Sequence, residues 1–283
     1  MNYRHAFHAG NHADVLKHVV LLALLDALKR KDKPFFVLDT HAGRGRYSLL
    51  SHEAERTNEW VDGIARLIAL EASPPPVHRF VERVRGLNRE GCLDVYPGSP
   101  LLIAGALRES DRLAACELHP EEAEELRLLF DRDPRVGAHF RDGYEALTAL
   151  LPPKERRGLV LIDPPYEAQE AELALILHAL TGAMRRWETG IYAVWYPIKQ
   201  RQTLSSFFRA VARLPAKSAF ALELLVRPEA TEVGLNGSGM LIINPPYKLD
   251  AELAPALPFL GERLAQELGT ARFEWIKRER APR

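Results

Sequence analysis

The chain has 283 residues, 47% hydrophobic and 27% charged, an ordinary globular composition with enough apolar material for a large core. Its 38 basic and 38 acidic residues cancel, so a strongly basic nucleic-acid binder is not indicated, although local basic patches stay open. The two cysteines, Cys92 and Cys116, lack metal or redox spacing, the N-terminus has no apolar signal core, and no stretch is long enough to span a bilayer, so a cytoplasmic protein without disulfides is expected.

Met1 to His18 carries His5, His8, His12 and His18 beside Tyr3, Arg4 and Lys17. These spacings match no standard zinc pair, so polar groups at a pocket mouth, or a solvated tail, are expected instead of a metal site. Asn11 followed by Asp14 is a capping-box-like start, and Val15, Leu16, Val19, Leu22, Ala23 and Leu25 predict a helix to about Lys29. Phe35 to Leu38 predicts a buried strand running into Asp39-Thr-His-Ala-Gly-Arg-Gly45. Glycines just past a strand let a cofactor approach the backbone, and His41 stands where a nucleotide-binding loop often has its first glycine. Taken alone, a simple glycine turn is an equally good reading. Glu53 to Glu90 reads as helical, with one apolar stripe at Trp60, Ile64, Leu67 and Ile68 and another at Val77, Phe80, Val81, Val84 and Leu87, split by Ser73-Pro-Pro-Pro76. With no strand pattern there, 52–95 is expected to be a helical insertion into a domain made of 1–51 and 96–283. Arg79, Arg83, Arg85 and Arg89 recur along its second helix; a solvated charged face is favoured over an RNA-facing strip.

Tyr96-Pro-Gly-Ser-Pro100 is a loop that opens a helix at Ser99. Arg112 to Cys116 predicts a strand ending in Glu117, the usual place for a carboxylate that holds ribose hydroxyls. Pro120 to Phe130 is helical, and Val136 to Phe140 is strand-like and leads to Asp142-Gly143. Leu159 to Ile162 is an apolar run, read as a buried parallel strand and stopped by Asp163-Pro-Pro-Tyr166. That turn offers a carboxylate, the Pro164 carbonyl and the aromatic face of Tyr166, which together suit a flat ring bearing an amino group. Gln169 to Trp187 is helical, Gly190 to Tyr196 a strand closed by Pro197, and Gln200 to Arg213 helical. Strands at Ala219 to Val226 and Met240 to Ile243 flank a glycine-rich connection, Gly234 to Gly239. A helix near Leu257 to Leu268 and a strand at Arg272 to Ile276 finish the chain. Strands alternating with helices imply an α/β fold with a doubly wound, mostly parallel sheet. A second tetrapeptide, Asn244-Pro-Pro-Tyr247, also follows a strand, but too little chain remains after it to complete a sheet, so the chemistry is assigned to Asp163 and Asn244 is read as a strand terminator. Arg44, Arg46, Lys199 and Arg201 stand beside the expected cleft as phosphate-holding candidates, each also readable as plain surface charge.

The order of these motifs resembles the class I, Rossmann-like, S-adenosylmethionine-dependent methyltransferases that act on exocyclic amines. Tyr3-Arg-His-Ala-Phe-His-Ala-Gly-Asn-His-Ala-Asp-Val-Leu-Lys-His18, Leu38-Asp-Thr-His-Ala-Gly43, Tyr96-Pro-Gly-Ser-Pro100, Glu117-Leu-His-Pro120, Ile162-Asp-Pro-Pro-Tyr166 and Ile191-Tyr-Ala-Val-Trp-Tyr-Pro197 resemble the RlmJ family, bacterial large-subunit ribosomal RNA adenine-N6 methyltransferases. The resemblance implies that Lys17, His18 and His41 contact the amino-acid portion of S-adenosyl-L-methionine, that Ser99 touches it, that Glu117 holds its ribose, and that Asp142 with Gly143 holds its adenine. It implies Asp163 as the catalytic acceptor, Pro164 and Tyr166 as holders of the target base, and Tyr3 and Arg4 as part of a tail that moves over the site. It further implies S-adenosyl-L-homocysteine as product, no metal, no membrane, a monomer, and 23S ribosomal RNA as substrate, free or early in assembly. The rival readings are the same fold acting on DNA adenine, on cytosine-N4 or on protein glutamine, an RNA-binding assembly factor with a dead pocket, and a metal enzyme built on the N-terminal histidines. Asp at position 163 leans away from glutamine, and the intact Glu117, Asp142 and Asp163 set leans away from a dead pocket.

Overall fold

The computed structural model describes residues 4–166, 168–229, 235–267 and 269–279. Among them are the strands β1 (Phe36–Asp39), β2 (Arg46–Ser48), β3 (Val95–Pro97), β4 (Arg112–Glu117), β5 (Val136–Phe140), β6 (Gly158–Ile162), β7 (Ile191–Ile198), β8 (Ala219–Leu225), β9 (Gly237–Ile243) and β10 (Thr270–Lys277). Eight of them form one sheet in the order β10-β8-β9-β7-β6-β1-β4-β5, and β2 pairs with β3 apart from it. β5, β4, β1, β6 and β7 run parallel. β9 is antiparallel to β7 and to β8, and β10 is antiparallel to β8. The chain travels outward from β1 through β4 to β5, then returns to lay β6 on the other side of β1. That reversal opens a crevice at the C-terminal ends of the strands, where ligands bind in such sheets. The architecture is the Rossmann-like one expected. β6, β8 and β9 are buried along their whole length, and β6 accordingly reads as an apolar run with no alternation, whereas Glu223 in β8 and Ser238 in β9 are buried polar residues.

The helix α1 (His12–Lys29) lies against the sheet and is buried around nearly its whole circumference. Its run Val19 to Leu25 leaves no polar face, the pattern of a core helix. Asn11 sets its start, the side-chain oxygen accepting the N–H groups of Ala13 at 3.0 Å and Asp14 at 2.9 Å. The two long helices expected over 53–90 are instead three pieces, His52–Thr57, Ala65–Ile68 and Pro75–Arg85. The break has a packing cause. Ile64 donates its N–H to the Gly10 carbonyl at 2.9 Å, and a Cβ on Gly63 would lie 2.0 Å from that oxygen, so the chain must turn where these glycines touch. Ile64, Leu67, Val77, Phe80, Val81 and Val84 join the same apolar cluster as α1. The helices of 52–95 thus add to the core of the main body. Of the recurring arginines, Arg79 pairs with Asp26 at 2.8 Å and Glu252 at 2.6 Å, and Arg85 caps the Ile68 carbonyl at 2.6 Å, whereas Arg83 and Arg89 are exposed.

The glycine-rich stretch before Met240 is the beginning of β9. Gly239 lies under the Tyr196 ring, where a Cβ would come within 2.2 Å of Cζ, so the glycine serves strand packing. The last long helix is Ala256–Leu264; Gly234 and Leu268 lie outside the described residues.

Candidate active site

Four strand ends supply the carboxylates of the crevice: Asp39 from β1, Glu117 from β4, Asp142 just past β5 and Asp163 just past β6. Two cavities meet there. One, of about 260 Å³, lies on the glycine-loop side; the other, of about 640 Å³, lies toward β7 and the start of α1. Both have Asp163, Lys17 and His5 in their walls.

The first cavity is lined by Lys17, His41, Ser99, Glu117, Asp142, Gly143 and Asp163, so the structure brings these expected residues together. Glu117 accepts the Gly43 N–H at 2.8 Å on one oxygen and the His119 N–H at 2.7 Å on the other, which fixes both the loop and the carboxylate. Gly43 has φ +60°, and a Cβ there would sit 2.1 Å from the Tyr47 hydroxyl. Asp142 caps the helix Gly143–Ala149 through the N–H groups of Tyr144 (2.7 Å) and Glu145 (3.1 Å). A Cβ on Gly143 would meet the Thr40 carbonyl at 2.1 Å, so the loops after β1 and β5 approach as closely as backbone allows. Desolvation holds the His41 pKa down to about 4, which leaves the ring neutral.

Two buried groups add what the motif spacing did not reveal. Asp39 is fully buried and forms no ion pair with a described residue, and burial pushes its pKa up to about 7 although the Ser99 side chain and the His41 backbone work against the rise. Its neighbours Ser99, Lys17 and Asp163 line the first cavity. A buried carboxyl without a counter-ion among the described residues is unfavourable when ionised and suits a ligand that brings a positive charge. Asp14 lies at the centre of a network: it contacts His5 Nε2 at 3.0 Å, accepts the Gly10 N–H at 2.9 Å, and takes Lys17 Nζ at 2.8 Å, while the same Nζ reaches Asp163 at 2.5 Å. Burial works against ionising Asp14, but His5 and Lys17 outweigh it and hold the carboxyl well below the usual range. Burial likewise opposes the charge on Lys17, and Asp14 and Asp163 together drive its pKa up.

In the second cavity Pro164, Tyr166 and Trp195 face Asp163's rim. The Tyr166 hydroxyl donates to the Trp195 carbonyl at 2.6 Å, and the two rings meet edge to face at 5.5 Å. The hydroxyl is spent on fixing the ring, which leaves the aromatic face as the part of Tyr166 to offer a ligand.

Other expected residues lie elsewhere. His18 lines neither cavity. It is fully buried, with Nδ1 at 2.8 Å from the Tyr96 hydroxyl and its ring stacked on Tyr96, and burial drops its pKa to about 3. Arg4 is exposed, pairs with Glu121 at 3.2 Å and lines neither cavity, and Tyr3 is outside the described residues. His5 contacts Asp14 and His8 contacts Glu59, so these histidines serve separate carboxylates. Arg44 is paired with Glu122, and Arg201 with Glu223 and Glu274, which removes both from the phosphate candidates; Lys199 lines the second cavity.

The second tetrapeptide is at the wrong edge. β9 runs antiparallel to β7, so Ile243 sits opposite Tyr192, near where β7 begins, and Asn244 emerges away from the crevice. Its amide accepts the Lys217 N–H at 3.0 Å and donates to the carbonyls of Glu188 (2.8 Å) and Gly190 (3.0 Å), with φ at +54°. Asn244→Ala is expected to cost about 1–3 kcal/mol of stability, read as a lower thermal midpoint, with ligand binding in the crevice unchanged. An unchanged midpoint would show that these hydrogen bonds hold nothing.

The chain matches the family model described as "Ribosomal RNA large subunit methyltransferase D, RlmJ" over residues 32–277. It is 43% identical over 277 residues to the ribosomal RNA large subunit methyltransferase J of Escherichia coli K12, covering 98% of this chain and 99% of that one. It is 44% identical over 281 residues to the Haemophilus influenzae protein of the same name, covering 99% and 100%. A solved structure from Legionella pneumophila superposes with a TM-score of 0.87 at 37% identity, over 94% of this chain and 98% of that chain.

Proposed function

The chain belongs to the RlmJ family of ribosomal RNA large subunit methyltransferases, and from that premise we propose that it transfers a methyl group from S-adenosyl-L-methionine to the N6 amine of an adenine in 23S ribosomal RNA. One observation carries this reading: Asp163, followed directly by Pro164, sits on the shared edge of two cavities and is gripped from behind by a buried lysine.

The first cavity fits S-adenosyl-L-methionine by the chemistry of its donor set. Glu117 would hold the ribose hydroxyls and Asp142 with Gly143 the adenine. His41, Ser99 and Lys17 would surround the amino-acid portion, with Asp39 behind them as a buried carboxyl that a nearby ammonium would favour in its ionised form. Lys17 uses two of its three ammonium donors on Asp14 and Asp163, which leaves one for a ligand. When bound, the cofactor supplies an electrophilic methyl on a sulfonium, and departs as S-adenosyl-L-homocysteine.

The remainder falls to the protein. An adenine amine is a poor nucleophile because its lone pair is shared with the ring. The Asp163 carboxylate and the Pro164 carbonyl would accept its two hydrogens as hydrogen bonds, which favours a pyramidal nitrogen with the lone pair turned toward the first cavity. The proton the nitrogen sheds on methylation would pass to the Asp163 carboxylate or to water. Lys17 fixes Asp163 against rotation. Holding the reactants in line contributes up to about 7–11 kcal/mol in favourable cases. The Tyr166 face and Pro164 would hold the base, and Glu59 brings the helices of 52–95 into the acceptor wall. A base must leave its stack to enter such a cavity, which favours single-stranded or loop RNA, free or early in assembly, over a finished particle. Among the described residues no helix is long and apolar enough to cross a membrane, and a monomer acting in the cytoplasm is part of the reading.

The test is incubation with methyl-labelled cofactor and, separately, protein-free ribosomal RNA, assembled large subunits and DNA, followed by nucleoside mass spectrometry. N6-methyladenosine in the protein-free RNA is expected. Label found only in DNA or protein, or no transfer despite calorimetric binding of the cofactor, overturns the proposal.

A further inference from the structure

The acceptor cavity has a charged end that the chemistry at Asp163 leaves unused. Of the carboxylates in its wall, Asp14 and Asp163 are matched by Lys17, and Glu59 is taken by His8 at 3.0 Å and Asn11 at 2.9 Å. Two cations in the same wall, Lys199 and Arg227, form no ion pair with any described residue. Lys199 is exposed at the rim, and Arg227 is half-buried. Three further residues of this wall carry a buried polar atom without a partner: His12 (Nε2), Trp195 (Nε1) and Gln266 (Oε1). His12 is only 6% exposed, and burial, with a contribution from nearby Arg227, lowers its pKa to about 4, so its ring adds no charge.

The cations are placed by a built junction. Asn236, 1% exposed, accepts the N–H groups of Val226 at 2.9 Å and Arg227 at 3.3 Å on its carbonyl and donates its side-chain amide to the Lys199 carbonyl at 3.0 Å. Gln266 donates its N–H to the Val226 carbonyl at 2.9 Å. The ends of β7 and β8 and the start of β9 are thereby tied into one wall at the catalytic edge of the sheet.

We propose that Arg227, assisted by Lys199, binds a backbone phosphate of the RNA nucleotide whose base occupies this cavity. The inference rests on the reading of the second cavity as the acceptor site and adds to it the group that holds the nucleotide's other end. A base with its amine at Asp163 carries its sugar and phosphate outward. A half-buried guanidinium lacking a counter-ion is costly, and a phosphate relieves that cost through two parallel hydrogen bonds that a lysine cannot reproduce. The remaining wall atoms of His12, Trp195 and Gln266 give the ribose and base polar surroundings.

The experiment measures binding of protein-free large-subunit ribosomal RNA over a salt series, together with steady-state methylation, for wild type, Arg227→Met, Arg227→Lys and Lys199→Met. For Arg227→Met the slope of log affinity against log salt is expected to shrink by about 0.7–0.9, the signature of one lost phosphate contact. The loss falls on KM for RNA, which rises about tenfold or more, and cofactor affinity by calorimetry stays within twofold of wild type. Arg227→Lys keeps part of the salt slope, and Lys199→Met loses less because its ammonium is at the solvent rim. An unchanged slope and KM in Arg227→Met overturns the assignment while leaving the acceptor site standing. Equal losses in Arg227→Met and Arg227→Lys with a lowered thermal midpoint also overturn it, by making Arg227 a structural post. If wild type methylates no RNA at all, it is the acceptor-site reading itself that falls.

Discussion

Asp163→Ala is expected to reduce methyl transfer to RNA by about 10²–10⁴-fold while cofactor affinity stays within a few-fold of wild type. The split follows from what holds each part in place. Glu117 is fixed by the amides of Gly43 and His119, and Asp142 by those of Tyr144 and Glu145, none of which involves Asp163. The fold should survive the change, because Lys17 keeps Asp14 as a counter-ion 2.8 Å away. What disappears is the acceptor that, with the Pro164 carbonyl, draws both hydrogens of the amine. Asp163→Asn refines the result: it keeps one acceptor oxygen but no charge, so its activity should lie between alanine and wild type. Single-turnover incorporation of labelled methyl, with calorimetry of cofactor binding, measures both quantities. Near-wild-type turnover in Asp163→Ala would remove the central assignment.

Much of this site was legible in the sequence because strand ends are legible. Apolar runs closed by Asp, Glu or Pro mark where the chain leaves the sheet, and that pattern points to Glu117 and Asp163, whereas the role of Asp142 comes from the resemblance. The hidden parts depend on contacts far apart in the chain or on strand direction. Asp14 reads as an ordinary cap residue, because its partner Lys17 meets Asp163 only across a sequence separation of 146 residues. Strand direction separates the two Pro-Pro-Tyr turns: β6 is parallel to β1 and delivers Asp163 to the crevice, whereas β9 is reversed and carries Asn244 away. The tetrapeptide carries no direction.

His18 shows a signal that was present and not used. The N-terminal histidine block reads as one unit, but a helix turns about 100° per residue, so Lys17 and His18 cannot share a face. Asp14 and Lys17, three apart, do share one, and they point at Asp163 while His18 points at Tyr96. Among the phosphate candidates Lys199 lines the second cavity, while Arg44 and Arg201 are already ion-paired. Arg201 is conspicuous in sequence, yet Glu223 and Glu274 neutralise it, while Arg227 had no local motif to mark it. Basic residues announce charge but not whether that charge is already matched.

The other large effect is expected at Lys17. Its ammonium bridges two carboxylates, with the Asp14 and Lys17 side chains 2% and 5% exposed. Removing one member of a buried ion pair costs about 3–5 kcal/mol, because the partner's charge stays buried and unmatched. Lys17→Met should therefore lose stability on that scale and transfer little or no methyl, since Asp163 is left without the group that orients it. The pH dependence gives the deficit a sign. In wild type the lowered pKa of Asp14 contributes stability present above its unfolded value and lost only as pH falls through the folded one. The raised pKa of Lys17 contributes stability fully present below its unfolded value and lost only as pH rises past the folded one. Neither is lost near neutrality. Without Lys17, Asp14 keeps chiefly His5 against the burial that opposes its charge, so its carboxyl is held down less and contributes less stability than in wild type. The gap in unfolding free energy should thus be full at neutral pH and narrow only as acid takes the pH down through and below the ordinary aspartate range, where Asp14 is protonated in both proteins. Asp14→Asn combined with Lys17→Met removes the most deeply buried of the unmatched charges and should recover part of the stability but none of the turnover. A double variant as unstable as the single one would show that the ion pair stabilises nothing, and full turnover in Lys17→Met would show that Asp163 works without its clamp.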